Sequence, residues 1–175
     1  MNDSQPASWM DSLHAFPKLA EGIGQFMASF ASLERFLWEL YAIILGQPVG
    51  DMAIALLGHI DSFSIKLTAM ENYLPCSALV SDQHKLAAAS FYLGAARSCN
   101  TFRNSLAHGI YLSDAEGTKV ELLSYATTTG KRPKQILLTE TLLKTETDKV
   151  LQLRDAIRNE FFPDFRNVHR PKHIR

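Results

Sequence analysis

Apolar residues recur at intervals of three and four along the first third of the chain: Ile23, Phe26, Met27, Phe30, Leu33, Leu37, Leu40, Tyr41 and Ile44. At about 3.6 residues per turn that spacing gathers them on one face of a single long helix, starting near residue 21. Gly46 and Pro48 close it. A second helical region spans residues 51–74, with Met52, Ala55, Leu56 and His59 on one face. Gly58 bends it, Asp61 or Ser62 caps a restart, and Pro75 stops it. The third helix covers residues 82–108 with a seam of Tyr92, Ala95, Cys99, Phe102 and Leu106. Ser81 is its predicted N-cap, Asp82 suits the positive end of its dipole, and Gly109 stands where a helix ends.

Beyond Gly109 the period shortens. Residues 110–112, 119–125 and 135–138 read as short strands, separated by turns at 114–117 and 127–132. A fourth helix starts at Glu140 or Thr141 and ends at Phe162, before Pro163. Its stripe is Leu143, Val150, Leu153, Ile157 and Phe161, and Thr145-Glu146-Thr147 marks an interruption with a capped restart. The fold class that follows is all-α: a four- or five-helix up-and-down bundle with a small β hairpin or meander inserted before the last helix. Residues 1–15 form a flexible N-terminal arm, with Trp9 and Met10 as its docking residues. The helical domain covers residues 16–162, its β appendage residues 110–138, and a basic tail residues 163–175.

Composition narrows the function classes. The chain has 175 residues, enough for one domain, and 46% of them are hydrophobic, so a true core is available. Eighteen basic side chains balance eighteen acidic ones, so contact with a nucleic acid has to rest on a local patch. The basic tail (Arg166, Arg170, Lys172, Arg175) and the turn bearing Lys131, Arg132 and Lys134 are such patches, or simply solvated surface. Cys76 and Cys99 make neither a disulfide framework nor a metal pattern, and Cys99 belongs to the core. His59 and Asp61 find no third ligand, and His84 reads as surface, so no metal or other cofactor is expected. A signal peptide and a membrane-spanning run are both missing from the pattern, which makes the cytoplasm the expected compartment and rules out a membrane partner.

The chemistry concentrates in Arg103-Asn104-Ser105-Leu106-Ala107-His108. Arg103 offers a planar cation suited to phosphate. Asn104 offers an amide that holds a neighbour. His108 brings the side-chain type whose ordinary titration falls near neutrality. Asn104 and His108, four apart, share a helix face. Arg103 and His108, five apart, diverge by about 140° at about 100° per residue. Either the last turn distorts near Gly109, or a second copy of the helix completes the site, as a two-fold contact would allow. Arg97, eleven residues before His108, aligns with Asn104 and His108 and extends a substrate-binding stripe, or is a solvated surface arginine. Glu34, beside the stripe of the first helix, is the candidate supporting carboxylate for Arg103, or is plain surface. The bland reading of the whole run is a helix end, where arginine and histidine meet the dipole and asparagine terminates the helix.

These residues resemble the HEPN superfamily, whose signature is an arginine, a polar residue beside it, and a histidine a few positions on. Arg103-Asn104-Ser105-Leu106-Ala107-His108-Gly109 is close to its commonest text. Leu33-Glu34 in a long aromatic-rich helix, and strands after the histidine, also resemble uncharacterised bacterial members. The resemblance spans residues 20–162, and only the six-residue run is specific. It implies metal-independent RNA cleavage in a homodimer. The ribose 2′-hydroxyl attacks the adjacent phosphate and leaves a 2′,3′-cyclic phosphate and a 5′-hydroxyl. Arg103, Asn104 and His108 would be catalytic, and a cognate antitoxin would be a partner in the toxin-type subgroup. That subgroup carries a tyrosine two positions after the histidine, where this chain has Ile110 and brings Tyr111 one later. Other members are non-catalytic, so an RNA- or nucleotide-binding module and a scaffold remain alternatives.

Overall fold

The computed structural model describes residues 13–46, 60, 62–114, 117–124 and 133–163. The N-terminal arm before residue 13, Pro48, the helical expectation over 51–59, Asp61, residues 115–116 of the first expected turn, the whole 127–132 turn and the tail from residue 164 lie outside the described residues. A short 3-10 turn, Leu13–Ala15, leads into α1 (Pro17–Ile44). Then come α2 (Phe63–Tyr73), two 3-10 turns, α3 (Gln83–His108), strands β1 (Ile110–Ser113), β2 (Val120–Ser124) and β3 (Lys134–Leu138), and α4 (Glu140–Phe161). The described chain is thus mostly helical, with a small antiparallel sheet of order β1-β2-β3 before the last helix. No helix among the described residues is long and apolar enough to cross a membrane.

The helix ends follow from local chemistry. Pro17 takes the first position of α1, where its missing N–H costs nothing. Gly46, at φ +66°, donates its amide to the Ile43 carbonyl and ends the helix in the left-handed conformation. Ser62 caps α2, its hydroxyl accepting from the Ile65 amide. Three details differ from the sequence expectation. α1 begins at Pro17, ahead of the expected start near residue 21. Asp82, not Ser81, caps α3: its Oδ1 accepts from the Lys85 amide at 3.1 Å, while Ser81 closes the preceding 3-10 turn. And α4 runs without interruption through residues 145–147. Its cap is Thr139, whose hydroxyl accepts from the Leu142 amide at 3.1 Å. Thr147 turns its hydroxyl onto the Leu143 carbonyl one turn back, so it has no need to break the helix.

By packing, the chain divides into two units: Met1–Phe30 with Cys99–Lys149, and Ala31–Ser98 with Val150–Arg175. α1, α3 and α4 each contribute a segment to both. The first unit buries Leu19, Phe26, Cys99, Leu106, Leu122 and Leu143. Phe26 meets Phe102 edge-on at 5.1 Å. At Gly22 the backbone comes so close to the Leu143 side chain that an added Cβ would sit 3.0 Å from it. The second unit buries Leu33, Leu37, Leu40, Leu67, Leu93 and Ile157, each worth about 1.5–3 kcal/mol relative to exposure. Of the expected α3 seam, Cys99 and Leu106 are buried; nearer the start of the helix the packed positions are Ala89, Leu93 and Ala96, one residue round from the expected Tyr92 and Ala95.

In the sheet, Tyr111 pairs with Leu122 and Leu122 with Ile136. Ser113, Val120 and Leu138 align two positions away, on the same face. That face is the buried one, since Ser113, Val120, Leu122 and Leu138 are all buried. The opposite face carries Leu137, which is exposed, and Gln135, whose amide donates to Glu121.

Candidate functional site

The run that carries the candidate chemistry forms the last turns of α3, in the first unit. The helix stays regular to its end: Gly109 donates its amide to the Ser105 carbonyl at 2.9 Å. The first of the two expected geometries, a distorted last turn, is therefore not adopted. Within one chain the Arg103 and His108 side chains leave the helix about 140° apart.

Arg103 is half-buried, and its Nη1 donates to Asn104 Oδ1 at 3.0 Å. Asn104 thus spends its carbonyl oxygen on the guanidinium rather than on His108. Arg103 Nε is buried without an acceptor. A buried donor without a partner costs about 1–3 kcal/mol, so this guanidinium is both pre-oriented and short of acceptors. His108 is exposed in the final turn of the helix.

Tyr111 and Ser124 join this helix end to the sheet. The Tyr111 hydroxyl donates to the Leu106 carbonyl at 2.6 Å. The Ser105 and Ser124 hydroxyls lie 2.8 Å apart, and Ser105 also donates to the Thr101 carbonyl at 3.1 Å. Burial pushes the Tyr111 phenol above its ordinary range. The sequence alone assigns Tyr111 no role. The available signal was its place on β1, two residues past the helix-ending glycine and on the face that register turns inward.

The two outlying candidates belong to the second unit and have partners there. Arg97 Nη2 bonds Glu71 Oε2 at 2.6 Å and Thr68 Oγ1 at 3.3 Å. Glu34 Oε1 accepts from Lys66 Nζ at 3.0 Å, and the same ammonium lies 4.7 Å from the centre of the Trp38 ring. Lys66 is the partner that Glu34 takes, a residue the sequence reading did not single out. Both pairs come from far apart in the chain, and no local pattern announces them. Among the described residues no group of three or more histidine, cysteine, aspartate or glutamate side chains is placed to hold a metal ion.

No family model, no curated protein and no solved structure matches the chain.

Proposed function

We propose that this chain is a HEPN-type, metal-independent endoribonuclease, built on an up-and-down helical bundle and acting as a homodimer. The observation that carries the reading is Arg103, held by Asn104 with its Nε lacking an acceptor, in the same helix end as an exposed His108. A phosphodiester oxyanion suits the accessible part of this half-buried guanidinium, and the charge that builds on its oxygens during attack is what an arginine stabilises best. The proton leaves the 2′-hydroxyl for the His108 imidazole and returns to the departing 5′-oxygen. The P–O5′ bond breaks as the cyclic phosphate closes. Arg103 and His108 diverge on one regular helix, so the working site takes Arg103 from one copy and His108 from the other, as a two-fold contact permits. Arg97 and Glu34 have partners of their own, and the reading needs neither.

The same divergence favours a second reading if the chain acts alone: an RNA- or nucleotide-binding module that uses Arg103 without proton transfer. One assay separates the two. Purified protein is incubated with RNA in EDTA and the new ends are analysed. Cyclic-phosphate ends that fall at least about 100-fold in both Arg103→Ala and His108→Ala support the nuclease. Binding without cleavage, weakened only in Arg103→Ala, supports the module.

A further inference from the structure

An α-helix leaves its last four carbonyls without intrahelical partners. At the end of α3 the Ser105 carbonyl still receives the Gly109 amide. The Leu106 carbonyl would next take the Ile110 amide, but Ile110 already belongs to β1, paired in register with Leu123. That orphaned carbonyl is taken by the Tyr111 hydroxyl at 2.6 Å. The chain turns so sharply here that a Cβ at Gly109 would collide with the Ser105 carbonyl and the Leu122 side chain. A half-buried phenol therefore does the work of a missing backbone donor, in the turn from which His108 projects.

We propose that Tyr111 is a positioning residue for His108: its O–H, by holding the Leu106 carbonyl, keeps the final turn of α3 wound and sets the direction in which the imidazole leaves the helix. The catalytic part of this inference rests on the reading of His108 as the proton-transfer group; the structural part does not. Ser124 is the natural control, because it ties the sheet to Ser105 and leaves the Leu106 carbonyl untouched.

The test is Tyr111→Phe in the full chain, which keeps the ring and removes only the donor. Three quantities are read: hydrogen exchange at the Gly109 amide, the imidazole NMR signals of His108, and kcat and KM on RNA. In Tyr111→Phe, Gly109 exchanges about tenfold faster and the His108 signals move toward those of a free side chain. The Phe102 amide, further back in the helix, holds its protection. kcat falls about tenfold with KM unchanged, because the imidazole is misdirected while the arginine still binds. Ser124→Ala leaves all three readouts as in the parent. Unchanged exchange and unchanged His108 signals in Tyr111→Phe overturn the inference, as does equal fraying in Ser124→Ala. Full kcat despite a frayed turn overturns its catalytic part. If the parent chain cleaves no RNA, the nuclease reading falls, and exchange with the ring signals still decides whether Tyr111 positions His108.

Discussion

Cys99 is buried in α3, and burial, with the Glu146 carboxylate adding to it, pushes its thiol above the ordinary range; Lys149 opposes weakly. The folded chain therefore holds this proton longer than the unfolded chain, whose thiol titrates near 9.0. Stability from this source is complete below that value and declines as pH rises through it toward the folded value. Cys76 is exposed and has no such protection. A disulfide reagent at pH 8 is thus expected to titrate Cys76 rapidly and Cys99 at least about tenfold more slowly, with the difference vanishing in denaturant. Equal rates for both thiols in the folded chain would contradict the packing of α3. Burial of Cys99 was readable from its apolar neighbourhood. The bond between Arg103 and Asn104 was not, because adjacent residues on a helix point to different sides and only the rotamers adopted bring them together.

Among the elements, the junction of α3 with β1 is the most tightly specified. Gly109 meets the Ser105 and Leu123 carbonyls and the Leu122 side chain at distances that leave no room for a methyl group. Two of those neighbours are backbone, which cannot swing aside. Gly109→Ala is expected to lower stability by about 1–3 kcal/mol, seen as a reduced urea midpoint at constant slope. A midpoint within error of the parent would mean the junction relaxes freely. Helix ends were largely legible because Gly46 and Gly109 are stop signals in their own right, whereas α1 starts at Pro17, before the apolar period that placed its start near residue 21. The caps were less so. Ser81 and Asp82 are both good cap residues side by side, and only the 3-10 turn Ala78–Ser81 decides between them. The threonines of α4 resemble a break in the text because a hydroxyl can compete for backbone groups. In the folded helix, Thr147 satisfies itself one turn back. The three strands were legible from their alternation, yet not their order or register, which depend on pairing across the sheet.

For the whole molecule the decisive question is whether one copy suffices. Arg103 and His108 project from a regular helix about 140° apart, so a site using both asks for two chains. Mixing the inactive variants tests this directly. In an equilibrated mixture of Arg103→Ala and His108→Ala, half of the dimers are mixed, and each has one of its two sites intact. Cleavage is then expected to return to about a quarter of the parent level. No recovery, from variants shown to exchange subunits, would place both groups in one chain. Nothing local in the sequence could settle such a matter, since composition and periodicity speak of one chain at a time.

The second unit holds a further consequence. Lys66, almost wholly buried, rests its ammonium against the face of Trp38 while bonding Glu34, and so ties α2 to α1. An indole in that setting has its emission tuned by a charge fixed a few ångströms away. Parting of these two helices would let water reach the ring and remove the cation at once. Once Trp9, the second tryptophan, is replaced, the chain therefore carries a native optical gauge of that contact, readable by fluorescence with no label attached.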